Sequence, residues 1–418
     1  MTGTSPRGGL TAFLQGRAGR RVSAVCAALG AFAIMSSGLA PSAVAADVQS
    51  KQWYLDLMDA KGMWKVSTGK GVKVAVLDSG VNLDTPSLKG QVLVDGVHKA
   101  LSYNATNDYL GHGTSMAELI AGTGAGGGLQ GLAPGAKVVP YRVLIKNVKN
   151  KTDIKKTPSV ADVIKAVADS DVQIISMSIG GDIMDPDEVK AVKYAESKGK
   201  LMFASTGNDA ETKNFIGYPA ADPYVVGVAA ADKDGRVTDF SEHGNYVDLA
   251  APGLKVPTWC DATFKSYCVS AGTSQAAALA SASAALIWSA HPTWTANQVL
   301  ATLIDTASRD WPKNKPSNYL GYGLIRPRKV LENSSINPGA PGTDPLSFEN
   351  GTGVTGASPS ASTSSKAPNP TSGGQTSAAA STSDSSGNTT LWVALGAAAA
   401  VVVLGGGAFA VVRSRRGA

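Results

Sequence analysis

Acidic residues are missing from both ends of this chain: neither the first 46 residues nor the last 28 contain an aspartate or a glutamate. The same ends carry seven arginines, Arg7, Arg17, Arg20 and Arg21 at one and Arg413, Arg415 and Arg416 at the other. Removing them turns a formal net charge of +6 into about −1 for the stretch between. The basic balance therefore belongs to the ends and gives no reason to expect a nucleic-acid partner. Cysteine is scarce too, with three in the chain. Cys26 lies in the N-terminal apolar stretch, so Cys260 and Cys268 remain as one even pair, suited to a local disulfide in an oxidising compartment. No internal repeat occurs.

The ends have their own logic. Four arginines, an apolar run from Val22 to about Leu39 and then Ala43-Val44-Ala45-Ala46 make a secretory signal peptide over 1–46, cleaved after Ala45 or Ala46. Arg20-Arg21 hints at the twin-arginine route, but the residues after it fit poorly. Leu391 to Val412 holds no charge and is followed by the basic tail 413–418. At ~1.5 Å per residue such a run crosses ~30 Å of hydrocarbon as one transmembrane helix, with the arginines cytoplasmic. Residues 336–390 are rich in Pro, Gly, Ser, Thr and Ala and read as a disordered stalk, without a Leu-Pro-x-Thr-Gly anchoring signal. The expected location is the cell membrane, single-pass, with the domain between the two ends extracellular.

Residues 47–335 are the folded part. Short apolar runs at 72–77, 138–144, 172–179 and 201–206 alternate with helical patterns. One of these is opened by Ser159 and Asp162, and another by Asp185 and Pro186 and closed by Gly199. Continuous apolar strands alternating with amphipathic helices predict an α/β fold, a parallel sheet between two helix layers. Sites in such sheets form at the carboxyl ends of the strands.

Three motifs fall where that rule points. The run 72–77 ends in Asp78-Ser79-Gly80, placing a carboxylate at a strand tip. Gly111-His112-Gly113-Thr114 opens a helix, leaving the imidazole accessible at a positive helix end that keeps it a base. Gly272-Thr273-Ser274 opens a second, alanine-rich helix, with backbone N–H groups beside the hydroxyl. Each motif alone is an ordinary turn or cap. Their occurrence in the order Asp, His, Ser is that of subtilisin.

The stretch from about Trp53 to Leu331 resembles the subtilisin-like (subtilase) family. Further ordered likenesses are Gly131-Leu132-Ala133-Pro134-Gly135-Ala136, Ile175 to Gly181, Ser205-Thr206-Gly207-Asn208, Tyr218-Pro219-Ala220, Phe240-Ser241 and Ala251-Pro252-Gly253. The resemblance implies a serine endopeptidase with the triad Asp78, His112 and Ser274 and the oxyanion donor Asn208. It implies a protein or peptide substrate lying along Ser178, Ile179 and Gly180 on one side and Gly131, Leu132 and Ala133 on the other.

Departures from the family pattern also stand out. Ala278 replaces the usual proline four residues after the nucleophile, and Glu118 stands where a small residue is common. Gly122 to Gly128 lacks the Asp and Asn ligands of the family's calcium loop, so no metal or cofactor is expected. Only about 31 residues separate cleavage after Ala46 from Asp78, too few for the family's usual prodomain. Signal, short extension, peptidase domain, stalk, span and basic tail together resemble the mycosins of actinobacterial type VII secretion. The alternative is a non-catalytic structural partner of a secretion complex that keeps the fold. An adhesive ectodomain would rest only on the lysine-rich stretch 146–156, which reads as a solvated loop.

Overall fold

Strand β1 (Lys73–Asp78) shows how the sheet is covered on both faces. Val74 and Val76 join one apolar cluster, while Ala75 and Leu77 join another on the opposite side, the two-residue alternation of a strand between layers. The computed structural model describes Gly3 and residues 48–144, 148–347 and 349–350. The signal segment, most of the stalk, the expected span and the basic tail lie outside the described residues. Among the described residues, no helix is long and apolar enough to cross a membrane.

After β1 come α1 (His112–Ala121), β2 (Lys137–Arg142), α2 (Val160–Ala168), β3 (Ile174–Met177), α3 (Pro186–Ser197) and β4 (Leu201–Ser205). They are followed by β5 (Val225–Ala231), β6 (Leu249–Pro252), β7 (Val256–Trp259), β8 (Tyr267–Ser270), α4 (Thr273–Ala290) and α5 (Ala296–Thr306). Six strands form one sheet in the order β2-β1-β3-β4-β5-β6, every pair parallel. This is the α/β three-layer arrangement expected from the alternating pattern.

Local chemistry explains the helix ends. Ser159 Oγ accepts from Asp162 N–H at 3.1 Å and starts α2, and Asp185 Oδ1 accepts from Asp187 N–H at 2.8 Å ahead of Pro186 and α3. These two helices pack together on one face of the sheet. On the other, α4 lies against β3 to β6 and against α1, with every residue from Thr273 to Trp288 buried. A helix apolar on all sides belongs in a core. Residues 337–347, 349 and 350, which composition assigns to the stalk, stay on the domain. Leu346 is buried, Gln298 Nε2 donates to Gly339 O at 2.8 Å, and Tyr224 N–H donates to Asn350 Oδ1 at 2.8 Å. Among the described residues, one buried leucine and a few hydrogen bonds serve where few apolar residues are available.

Strands β7 and β8 form an antiparallel hairpin joined by a disulfide between Cys260 and Cys268, with Cα atoms 4.9 Å apart. The hairpin is docked on α1. Trp259 N–H donates to Ser115 Oγ, and Tyr267 Oη donates to Glu118 Oε2, each at 2.9 Å. Glu118 thus has a partner where the family favours a small side chain, but it is fully buried and its Oε1 has no hydrogen bond. Burial pushes its carboxyl up to about 7, against the hydrogen-bond donors around it.

A carboxyl raised from 4.5 to about 7 holds its proton longer in the folded state than in the unfolded one. Its contribution to stability is full below pH 4.5 and is lost as pH rises through 7. Glu118→Gln, neutral at every pH, should match the wild type in denaturant titrations near pH 4.5. At pH 8 it should exceed the wild type by on the order of 3 kcal/mol. A constant difference across that range would mean that Glu118 is ionised in its buried place.

Candidate active site

Asp78 ends β1, and β1 lies between β2 and β3, where the strand order reverses. That reversal opens a crevice at the carboxyl ends of the strands. Asp78 is fully buried, and its two oxygens accept from His112 Nδ1 at 2.7 and 2.9 Å. A carboxylate can only accept, so Nδ1 carries the hydrogen and Nε2 is the acceptor of the neutral ring. Ser79 N–H donates to Asp78 Oδ1 at 2.7 Å and holds the carboxylate from behind.

His112 opens α1, and Gly113 lets that first turn sit against β1. A Cβ at Gly113 would fall 2.2 Å from Gly80 O and 3.0 Å from Asp78 Cβ. The turn is held by a second acid, Asp108. Its Oδ1 accepts from Ser79 Oγ at 2.7 Å and from the N–H groups of Leu110 and Gly111 at 2.9 Å. Its Oδ2 accepts from Thr114 N–H at 2.9 Å and from Thr114 Oγ1 at 2.6 Å. Asp108 thereby occupies donors that a helix start leaves open. The sequence reading passed it over; its one signal was an acid just ahead of a helix-opening Gly-His-Gly. Burial pulls the His112 imidazole down. The charge and hydrogen bond of Asp78, with the charge of Asp108, reverse this and leave it above the ordinary value of 6.5.

Ser274 is the second residue of α4, so its N–H has no partner within the helix. Ser178 Oγ donates to Ser274 O at 3.1 Å and ties the end of β3 to that turn. Thr273 N–H and Oγ1 donate to Asn208 Oδ1 at 2.8 and 3.1 Å. An N–H can only donate, so Asn208 turns its oxygen to Thr273 and leaves its amide nitrogen for the cavity it lines. That cavity, of about 560 Å³, is also lined by His112, Ser274, Ser178, Ile179 and Gly180.

Gly131, Leu132 and Ala133 do not belong to it. All three are buried, and their N–H groups donate to Gly122 O, Leu119 O and Ile120 O at the end of α1. A backbone already paired in this way offers no edge to a substrate. Leu144, just beyond β2, borders the cavity instead.

Residues 69–323 match the family model described as Peptidase_S8, the Subtilase family. The chain belongs to the subtilases. Thermitase of Thermoactinomyces vulgaris is 30% identical to it over 279 residues, 65% of this chain and 95% of thermitase. The minor extracellular protease Epr of Bacillus subtilis is 31% identical over 284 residues, 66% of this chain; the chain spans 41% of Epr's length. Among solved structures it is similar to the MycP3 protease from the type VII (ESX-3) secretion system. That likeness has 27% identity and a TM-score of 0.56, and it covers 70% of this subtilase and 89% of MycP3.

The charges around His112 make a prediction that needs no substrate. In an NMR titration His112 should protonate above pH 6.5, whereas His291, which burial lowers, should protonate below it. Asp78→Asn and Asp108→Asn each remove a negative charge that favours imidazolium, so each should move the His112 midpoint down. A midpoint unmoved by Asp108→Asn would mean that this acid only caps the helix.

Proposed function

We propose that this subtilase is a serine endopeptidase of the Ser-His-Asp type, in which Ser274 attacks, His112 transfers the proton and Asp78 orients the imidazole. The observation that carries the reading is the pair of contacts from Asp78 to His112 Nδ1, with His112 and Ser274 on one cavity. As His112 Nε2 takes the hydroxyl proton, Ser274 Oγ bonds to the scissile carbonyl carbon, and Asp78 stabilises the imidazolium. The oxyanion is met by Ser274 N–H and Asn208 Nδ2, each donor worth roughly 3–4 kcal/mol. The C–N bond then breaks as the proton passes to the leaving amine, and water releases the acyl group by the same route in reverse.

The reading extends to setting. The signal segment, the uncharged run 391–412 and the arginines after it support a single-pass protein of the cell membrane with its catalytic domain outside. The likeness to MycP3, a protease from the type VII (ESX-3) secretion system, supports service in secretion of that type.

A fluorophosphonate probe should label the wild type at Ser274 and leave Ser274→Ala unlabelled. Failure of the folded wild type to react would turn the assignment toward a structural partner. Asn208→Ala should lower kcat by roughly 10²–10³ with a much smaller effect on KM, because the oxyanion exists only in the reaction. A chain ending at Thr390 should appear in the medium, soluble and as active as the full protein. Persistent membrane association of that truncated form would exclude 391–412 as the anchor.

A further inference from the structure

The cavity beside Ser274 has acids in its wall that the peptidase reaction does not use, and one of them, Glu242, is buried. Glu242 follows Phe240-Ser241, and its backbone N–H donates to Gly207 O at 3.1 Å, next to Asn208. The side chain reaches back between two glycines. A Cβ at Gly207 would fall 2.0 Å from Glu242 Oε2, and one at Gly217 would fall 3.4 Å from it. Gly207 has φ +118°, a conformation that L side chains rarely adopt, so glycine both permits the turn and makes room for the carboxylate. Glu242 is 4% exposed, yet it lines the cavity that His112 and Ser274 line.

Among the described residues no cation is set against it. Among the described residues no side chain donates a hydrogen bond to it; the backbone N–H of Asp209 is the group turned toward it. The charges acting on it, Asp209 and Asp182, are acids that line the same cavity. Burial, and then these two acids, push its carboxyl up to about 7, against that backbone donor. A buried acid without a counter-charge is costly and is relieved by a cation. Ile179, Gly180, Gly181 and Phe215 also line the cavity and add apolar surface and bare backbone to its wall.

We propose that this cavity is the P1 site of the enzyme and that Glu242, backed by Asp209 and Asp182, selects substrates with lysine or arginine before the scissile bond. Those side chains carry a cation at the end of a long apolar stem. The stem lies along Ile179 and Phe215, and the cation reaches the carboxylate behind Gly207. Such a site attracts basic side chains, and it also penalises an acidic one by placing like charges together. The inference rests on the serine-endopeptidase reading and names the substrate class for that same site.

The test is a set of fluorogenic peptides that differ only at P1, with Arg, Lys, Gln, Leu or Glu. Active sites are counted by fluorophosphonate titration, so kcat/KM is per competent site. The wild type should prefer Arg and Lys over Leu by roughly tenfold or more and should cleave the Glu peptide least. Glu242→Gln keeps the shape and removes the charge, and should lower the Lys-to-Leu ratio of kcat/KM by roughly tenfold or more. A wild type that prefers Leu, or a Glu242→Gln ratio equal to that of the wild type, overturns the proposal. Should Glu242→Gln yield no titratable sites, the wild-type P1 series decides alone. Absence of both labelling and turnover in the wild type overturns the serine-protease reading, and this one with it.

Discussion

The close approach of α4 to the sheet is the contact on which the site depends. Ala276, Ala277, Ala278, Ala280, Ala282, Ala284 and Ala285 are all fully buried, and a helix so narrow brings its first turn up to the ends of β3 and β4. The two serines inside this core cost little, because Ser281 Oγ donates to Ala277 O and Ser283 Oγ to Leu279 O, each at 2.8 Å. A larger side chain anywhere along this face would cost about 1–3 kcal/mol in overpacking. The greater harm would be geometric. Ser274 rides on α4 while Asp78 and His112 ride on β1 and α1, so pushing the helix outward would move the hydroxyl away from groups that do not move with it.

How much of this was legible depended on whether a residue's meaning was local. Strand β1 with its acid at the tip, and the caps at Ser159 and Asp185, are written in contiguous residues, and the structure has them as read. Ala278, in place of the family's proline, simply continues a helix that runs from Thr273 to Ala290. Glu242 escaped because it is defined by partners distant in sequence, Gly207 and Gly217, and Asp108 because an acid two to six residues ahead of its donors looks like any loop acid until Ser79 closes the set. Gly131 to Ala133 misled for the complementary reason. The family resemblance assigns a substrate edge there, and only the folded chain reveals that the last turn of α1 has already taken its hydrogen bonds. Residues 337–347 read as stalk from their composition, although buried Leu346 and a few hydrogen bonds hold them to the domain.

Four buried acids lie around α1, α4 and the cavity between them and the sheet, and donors separate them into two kinds. Asp78 and Asp108 collect N–H and O–H groups from β1, α1 and the loop between, so each fixes a geometry. Glu118 and Glu242 collect few donors, and burial pushes both up to about 7. The first kind builds the site. The second stores an unfavourable charge, and what relieves it differs with place: Glu118 is sealed beneath the hairpin, where only a proton can reach it, whereas Glu242 faces a cavity that admits a substrate.

The order of elements along the chain has a consequence for biosynthesis. Synthesis runs from the N-terminus, so β1 to β6, with Asp78 and His112, emerge before α4 exists. The face of the sheet that α4 covers stays bare until then, and parallel pairing over long sequence separations is slow and prone to aggregation. The same delay leaves every shorter nascent fragment without Ser274. On the proposed mechanism, a polypeptide able to cut its neighbours is therefore harmless while it is being made, and gains its reactive hydroxyl only when the helix that completes the core arrives.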